Sequence, residues 1–229
     1  KMIDIHTHVL FGVDDGPKTL EESLELLKQA SHMGFKEIVL SSHYKVDRYE
    51  NEKYAKNFNI LKEAIKNHEI PIDIHSGNEV YLDIGIENHL PKTQNLKDSN
   101  YLLVEFHPMI NMIAAQALIN RVKKSGYDPV LAHVERYMNL TVDNLKKLKE
   151  SEVIFQTNIK SVENIDRKLH WLLKNGMIDI LASDTHRIGK RDYNFKDQLT
   201  EIQKIVGEKN LKKMISENPR TILNNGVIE

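Results

Sequence analysis

The sequence predicts an α/β fold in which seven strands form a distorted β/α barrel similar to a TIM barrel. Short apolar segments rich in β-branched residues alternate with amphipathic segments, a pattern typical of a parallel sheet with helices packed around it. Seven such strand segments occur, one fewer than in the usual eight-stranded barrel. An open doubly wound sheet is the alternative, but no glycine-rich phosphate loop follows any of the strands.

The predicted strands are short and have apolar cores, as expected of strands that are buried on both faces. They cover residues 2–5, 37–42, 72–76, 101–105, 129–132, 153–157 and 178–182. No internal repeat, low-complexity tract or shift in composition marks a linker. The whole chain, residues 1–229, is therefore predicted to form a single domain.

The predicted helices carry start and stop signals. Thr19 and Glu22 fit a capping box at the start of the first helix, and Gly34 supplies its stop. Four further helices are predicted at residues 52–67, 113–125, 141–150 and 162–175, with Thr141 as the N-cap of the third of these. The chain after residue 191 is predicted to be helical, with a break near Pro219.

The composition excludes several classes of function. Lysine plus arginine (32) nearly balances aspartate plus glutamate (33), and the resulting net charge of -1 disfavours a nucleic-acid partner. No run of eighteen apolar residues or signal peptide is present, so we expect a cytoplasmic protein without membrane insertion. The absence of cysteine removes disulfides, thiolate metal sites and cysteine nucleophiles. The oligomeric state stays open.

Histidine and carboxylate residues mark the ends of six of the seven predicted strands. In β/α barrels the chemistry lies at the carboxyl ends of the strands, so these side chains are expected to meet at one mouth. Asp15, in the loop after the first strand, can reach the same place. The strand-end residues are His6, His8, His43, Glu79, Glu105, His133, Asp184 and His186.

This set has the character of a metal site. His6 and His8 are separated by one residue, so an extended chain directs both imidazoles to the same side. Asp184 and His186 repeat that spacing. Five histidines and four carboxylates exceed the needs of one ion, and such a concentration of charge requires cations to offset repulsion. We therefore predict two or three metal ions.

Arginines near this set suggest an anionic ligand. Arg136 comes three residues after His133, and Arg191 lies in the loop that follows the last strand, where Arg187 is a competing candidate. The planar guanidinium group binds two oxygens of a phosphate or carboxylate. Asn158, at the end of the sixth strand, is expected either to bind the ligand or to cap the next helix.

The motifs IDIHTHVLFGVDDGP, SSH, GNEVY, VEF, AHVER and ASDTH, in this order, resemble those of the PHP (polymerase and histidinol phosphatase) superfamily. Within it they look most like the bacterial metal-dependent protein-tyrosine phosphatases of capsule and exopolysaccharide gene clusters, the CpsB/CapC type. The resemblance extends from Met2 to about Ile222 and implies a distorted seven-stranded barrel, in agreement with the strand count. The loop after His186 departs from the family pattern, with Arg187 where relatives tend to have asparagine.

The resemblance also implies a trinuclear centre, often functional with Mn²⁺. Mixed nitrogen and oxygen ligands without sulfur suit Mn²⁺, while Zn²⁺, Fe²⁺ and Mg²⁺ stay open. The implied ligand sets are His6, His8, Glu79 and Asp184 for one ion, Glu79, Glu105 and His133 for a second, and Asp15, His43 and His186 for a third. Arg136 and Arg191 are implied to bind phosphate. The implied substrate is phosphotyrosine on a protein, a bacterial tyrosine kinase that controls polysaccharide synthesis.

The predicted reaction is hydrolysis of a phosphomonoester by attack of a metal-bound hydroxide, with the metals and Arg136 neutralising charge. Phenolate leaves with a pKa of about 10, so the proton can come from water or from His43. Three alternatives stay open: a small-molecule phosphatase such as histidinol-phosphate phosphatase, a PHP nuclease, and a non-catalytic binding module. The near-neutral charge disfavours the nuclease, and the presence of all nine expected ligands disfavours the binding module.

Overall fold

The computed structural model describes residues 1–229 and confirms the seven-stranded parallel barrel. The strands are hydrogen-bonded in chain order, so each strand pairs with the next one along the sequence. They span Met2–Thr7 (β1), Phe35–Tyr44 (β2), Asp73–Tyr81 (β3), Tyr101–Glu105 (β4), Asp128–Leu131 (β5), Ile154–Asn158 (β6) and Ile180–Ala182 (β7). β2 and β3 are longer than predicted, so His43 and Glu79 lie inside strands and not after them.

The barrel closes between β1 and the chain that follows β7 through a few backbone contacts instead of a full ladder. Thr7 and Thr185 form an isolated parallel bridge. The Asp184 N–H donates to the His6 carbonyl and the His8 N–H donates to the Thr185 carbonyl, both at 2.8 Å. The same backbone segments that close the barrel thus carry three of the predicted metal ligands.

A buried carboxylate completes this seam. Asp4, at 0% exposure, accepts from the Ser183 N–H at 3.1 Å and from the Tyr193 hydroxyl at 3.0 Å. Burial raises the pKa of Asp4, and the bonds from Ser183 and Tyr193 oppose that rise. Asp4 therefore ties the first strand to two positions beyond the last one.

Alternation along the strands separates an inner apolar cluster from an outer one. In β4, Leu103 belongs to the inner cluster, whereas Leu102 and Val104 belong to the outer cluster of 48 buried residues that packs against the helices. The inner cluster has 12 buried residues, most of them from the strands, with Ile222 and Leu223 added from the last helix. The interior of the barrel is therefore a packed apolar core below its mouth.

The helices confirm most of the predicted boundaries. They span Leu20–Met33 (α1), Tyr54–Asn67 (α2), Met112–Lys124 (α3), Val142–Lys149 (α4), Arg167–Lys174 (α5), Lys196–Val206 (α6), Glu208–Lys212 (α7) and Asn218–Leu223 (α8). α5 begins later than predicted because Asp166 caps it and a 3₁₀ segment, Ile159–Asn164, precedes it. Pro219 lies in the first turn of α8, where proline is tolerated, so the change in the tail is a π turn at Lys213–Glu217. No helix has the length and apolar content that crossing a membrane requires.

The predicted caps are confirmed in part. Thr19 accepts from the Glu22 N–H at 3.3 Å, and Gly34 ends α1 in the left-handed conformation at a φ of 102°. The reciprocal half of the predicted capping box is absent, because the Glu22 carboxylate binds Arg187 instead. A reciprocal capping box does occur at the start of α4, where Thr141 is the N-cap residue.

Candidate metal centre

Four of the predicted ligands converge at the barrel mouth. The Nε2 atoms of His6 and His8 lie 3.3 Å apart. Glu79 Oε2 lies 3.1 Å from the first nitrogen and 3.0 Å from the second, and Asp184 Oδ1 lies 3.2 and 3.3 Å from them. All four residues are buried, so the cluster cannot be a solvated surface group.

The spacing of these atoms fits a bound cation. Ligand atoms about 2.0–2.1 Å from a Zn²⁺ ion in tetrahedral geometry are separated by about 3.3 Å. The four atoms described above show separations of this size. Their chemistry, imidazole nitrogen and carboxylate oxygen, suits Mn²⁺, Fe²⁺ and Zn²⁺. The residues present therefore fit a divalent metal ion.

The remaining predicted ligands extend the cluster on both sides. His8, Asp15, His43 and His186 form a second group, and His43, Glu79 and Glu105 form a third, each with ligand atoms within 4.8 Å of one another. His133 Nε2 lies 2.8 Å from Glu79 Oε1 and 3.4 Å from Glu105 Oε2. All nine predicted ligands are thus brought together. Glu79 lies at the centre, with His6, His8 and His43 facing one oxygen and His133 facing the other.

Two of these residues have an unusual backbone conformation. His133 has a φ of 34° and Asp184 has a φ of 54°, both in the left-handed region. This region costs roughly 1–2 kcal/mol for residues other than glycine. Both residues lie two positions after the end of a barrel strand, β5 or β7. The chain turns sharply there and directs the side chain into the mouth, and the conformational cost accompanies this turn.

Asp14 and Gln156 orient the cluster histidines. Asp14 Oδ2 lies 2.8 Å from His8 Nδ1, and its oxygens also accept from the Gly16 and His43 N–H groups, both at 2.9 Å. Asp14 is therefore both a turn residue and a support for His8. The Gln156 side-chain oxygen lies 2.9 Å from His6 Nδ1 and fixes the ring from behind.

Gln156 was missed at the sequence level. It occupies the middle of β6 and is 0% exposed. The only signal for it in the sequence is a glutamine inside a predicted buried strand. This signal is weak because a neutral amide does not stand out among strand residues as histidine and aspartate do. Its oxygen also accepts from the His133 N–H at 3.0 Å, so one amide supports two ligands on different strands.

The carboxylates of the cluster are held in the ionised form. Burial alone would raise the pKa of Glu79 and of Asp184, but nearby positive groups lower both values well below the usual range. For Glu79 these groups are histidines, and for Asp184 they include Arg191. Both carboxylates are therefore available to a cation at neutral pH.

Burial lowers the pKa of a histidine in this cluster, and a neighbouring carboxylate raises it. Burial disfavours protonation of His8, but the carboxylates of Asp14, Asp184 and Glu79 together outweigh it and raise the pKa of His8 well above its usual value. The pKa values of His43 and His133 rise to about 10 in the same way, through Glu79 and Glu105. Burial and the neighbouring His8 lower the pKa of His186, and Asp15 Oδ1, 3.3 Å from its Nε2, opposes that effect.

The two arginines predicted to bind phosphate both reach the cluster. Arg136 Nη1 lies 3.3 Å from Asp184 Oδ2, and Arg191 Nη2 also donates to that oxygen. Each guanidinium is about two-fifths exposed, so donors remain for a ligand in the mouth. Arg187, the competing candidate, is turned away and forms two hydrogen bonds with Glu22. Asn158 donates to Asp184 Oδ2 at 2.8 Å and is therefore part of the site.

A family model described as capsular polysaccharide synthesis, CpsB/CapC, matches residues 2–224. The chain belongs to the CpsB/CapC family. The tyrosine-protein phosphatase CpsB of Streptococcus pneumoniae is 31% identical over 97% of this chain and 98% of that protein. The tyrosine-protein phosphatase YwqE of Bacillus subtilis is 29% identical over 99% of this chain and 93% of that protein.

Solved structures agree with this membership of the CpsB/CapC family. A crystal structure from work on B. subtilis YwqE and S. pneumoniae CpsB, described as metal-dependent tyrosine phosphatases, superposes with a TM-score of 0.88 at 28% identity and covers 100% of this chain and 96% of its own. The phosphotriesterase homology protein of Escherichia coli superposes with a TM-score of 0.68 at 12% identity, covering 97% and 98% of the two chains, and shares the fold alone.

Proposed function

We propose that this protein is a metal-dependent protein-tyrosine phosphatase. The observation that carries the proposal is the convergence of imidazole nitrogens, carboxylate oxygens and two guanidinium groups on Asp184 at the mouth of one barrel. Such a site combines cations with donors for phosphate oxygens, which is what phosphoryl transfer requires. The names of the CpsB and YwqE relatives support the same activity.

The proposed metal ligands follow the groups that the fold brings together. One ion would be held by His6, His8, Glu79 and Asp184, and a second by Glu79, Glu105 and His133. A third would be held by Asp15, His43 and His186, with His8 as an additional neighbour. The ions would be Mn²⁺ in this proposal, because the ligands combine nitrogen and oxygen and the resemblance to the family points the same way. Bound divalent ions lower the pKa of water toward neutrality and so supply a nucleophile at physiological pH.

The chain's own residues bind and orient the phosphate. Arg136 and Arg191 direct their donors to the region around Asp184 Oδ2, where phosphate oxygens would replace the carboxylate as acceptors. Two fixed guanidinium groups would neutralise the charge that develops on those oxygens during in-line attack. His43, the most exposed cluster histidine at 21%, is the residue that a leaving phenolate can approach. We assign it the proton donor role when no third ion holds its imidazole, and water that role when one does.

The surface around the mouth favours a protein substrate over a small molecule. Large apolar side chains are exposed at seven positions, and five of these lie in segments that follow the carboxyl ends of strands. These five are Ile84, Met109, Ile113, Met138 and Ile188. Segments that follow the carboxyl ends of the strands share one end of a β/α barrel, so these apolar groups are available to a polypeptide that approaches the mouth.

We further propose that the phosphotyrosine is carried by a bacterial tyrosine kinase that controls capsular polysaccharide synthesis, in the cytoplasm. The family description links relatives of this chain to that synthesis. Purified kinase in its phosphorylated form provides the test, since the phosphatase would remove phosphate from it and not from a phosphoserine protein.

The activity itself is tested with an added Mn²⁺ salt and three substrates, a phosphotyrosine peptide, a phosphoserine peptide and histidinol phosphate. We expect the first to be hydrolysed with the highest kcat/KM, and His6→Ala or Glu105→Ala to abolish the reaction. Turnover by these variants equal to that of the unmodified protein would refute the proposed site. A higher kcat/KM for histidinol phosphate would establish the small-molecule alternative instead. Metal analysis showing fewer than two ions per chain would favour a binding module.

A further inference from the structure

A cavity adjoins the candidate metal centre on the side of His43. It has a volume of about 520 Å³ and lies between residues 12–14 after β1, the end of β2 at Ser42 and His43, and the loop of residues 45–53. We call it the side cavity. None of the functions assigned above uses it, yet it shares His43 and Asp14 with the centre.

The floor of the side cavity contains a polar group without a partner. Ser42 is 1% exposed, lines the cavity, and its hydroxyl makes no hydrogen bond within the chain. The neighbouring Ser41 is also buried, but its hydroxyl accepts from the Thr7 N–H at 2.9 Å. A buried hydroxyl without a partner costs free energy, so its position beside a cavity indicates a ligand that completes it.

The loop of residues 45–53 forms a preorganised wall. Lys45 and Tyr49 exchange two backbone hydrogen bonds of 2.8 Å, and Asn51 exchanges two side-chain hydrogen bonds of 2.9 Å with Asn78 of β3. The Tyr49 ring lies nearly parallel to the His43 ring, at 17° with centroids 6.0 Å apart. Because this wall is already fixed in the free protein, a ligand that binds to it pays little conformational entropy for ordering the loop.

Positive groups on this wall are available for an anion. The Arg48 guanidinium lies over the Tyr49 ring, 5.1 Å from its centroid, which leaves the donors on its edge free. Neither Arg48 nor Lys53 has a carboxylate oxygen within 4.0 Å. Both side chains line the side cavity and are exposed, so a ligand can reach them.

Of the two carboxylates that line the side cavity, Asp14 is buried and fully engaged. Asp14 accepts from His8 and from two backbone N–H groups, as described for the centre. Glu52 accepts from the Glu50 N–H at 3.4 Å. Arg48, Lys53 and the Ser42 hydroxyl are side-chain donors of the cavity without a hydrogen-bond partner, while Glu52 is exposed and keeps a free oxygen.

We propose that the side cavity binds an anionic side chain of the substrate polypeptide next to the phosphotyrosine, with Arg48 and Lys53 as its positive groups and the Ser42 hydroxyl at its floor. This inference rests on the proposed phosphatase function, because the phosphotyrosine at the metal centre would place neighbouring residues of the same polypeptide beside His43. The side cavity would then determine which phosphotyrosines are preferred, in the manner of a specificity subsite.

The test compares phosphotyrosine peptides that have glutamate, alanine or lysine on both sides of the phosphotyrosine. We expect the unmodified protein to hydrolyse the glutamate peptide with a kcat/KM about fivefold above that of the alanine peptide, the size of a partly exposed ion pair. The difference should appear in KM and not in kcat, because the contact is made in the bound and the transition state alike. A fourth peptide, with phosphoserine beside the phosphotyrosine, separates a phosphate from a carboxylate as the anion.

Charge reversal gives the decisive comparison. Arg48→Glu should lose the preference for the glutamate peptide and gain one for the lysine peptide. Lys62→Glu, which reverses the charge of an exposed lysine of α2, is the matched control and should keep the preference of the unmodified protein. Equal kcat/KM values for the glutamate, phosphoserine and alanine peptides, or an unchanged preference in Arg48→Glu, would overturn the inference. Absence of hydrolysis of every peptide by the unmodified protein would overturn the proposed function instead.

Discussion

The barrel interior has two layers built from the same strands, an apolar layer below and a layer of charged residues at the mouth. At the amino ends, the inner positions are apolar: Val39 in β2, Leu103 in β4 and Ile180 in β7. Two to four residues further along the same faces, the inner positions hold His43, Glu105 and Asp184. Alternation in a strand makes such pairs neighbours in one row. The barrel therefore supports a charged layer directly on an apolar one.

The two layers offset the free-energy cost of burial in different ways. The apolar layer gains stability from removal of its surface from water. The charged layer must find partners for its carboxylates. Without ions, the raised pKa values of His43 and His133 show that protons on imidazoles supply the positive charge. Metal ions require neutral imidazoles, so ion binding would replace those protons.

The largest effect is expected when the charged layer loses its central group. Glu79→Gln keeps the shape of the side chain and removes the charge that faces four histidines. We expect kcat/KM for a phosphotyrosine peptide to fall on the order of a thousandfold. Glu37→Gln is the control, because that carboxylate lies at the start of β2, pairs with His75 and Arg220, and should leave kcat/KM nearly unchanged. Comparable losses in both variants would mean that the charged layer has no special role.

The apolar layer should respond in stability and not in chemistry. Leu103 is 0% exposed, so Leu103→Ala is expected to lower the free energy of unfolding by about 2–5 kcal/mol. Urea unfolding measures the loss, and kcat of the folded variant should stay close to that of the unmodified protein. Ile113→Ala, at a side chain that is 85% exposed, should change stability by less than about 0.5 kcal/mol. A large fall in kcat at full folding would show that the two layers are not separable.

A smaller effect is expected from pH in the ion-free protein. The folded pKa values of His43 and His133 are raised to about 10, above the ordinary value of 6.5. Their contribution to stability is therefore fully present below pH 6.5 and is lost as pH rises toward 10. After removal of metal with a chelator, the Tm should fall over this range, and His133→Gln should reduce the fall. With Mn²⁺ added, binding should strengthen with pH as fewer protons compete, and an equal decline with and without metal would contradict the proton exchange.

Much of this arrangement could be predicted from the sequence because strand ends in a parallel barrel meet at one mouth. His6 and Asp184 could be placed together on that basis alone. The ends of β2 and β3 could not be predicted correctly. Polar residues such as His43 and Glu79 suggest that a strand has ended, but here they continue the pairing between β2 and β3. Pairs between a loop and a helix, which strand ends do not align, were also beyond reach. Glu22 and Arg187 bind each other across 165 residues, which removes both the reciprocal capping box and the competing phosphate ligand.

The seam at Asp4 also bears on how the protein is made. Asp4 binds groups that lie 179 and 189 residues later in the chain, and His6 faces Asp184 at the same seam. During synthesis, a ribosome-bound chain that has not yet emerged through residue 193 can pair β1 with β2 but lacks the groups that Asp4 binds across the seam. The first metal group is likewise incomplete until then. Closure of the barrel and completion of the site therefore both depend on the part of the chain that is synthesised last.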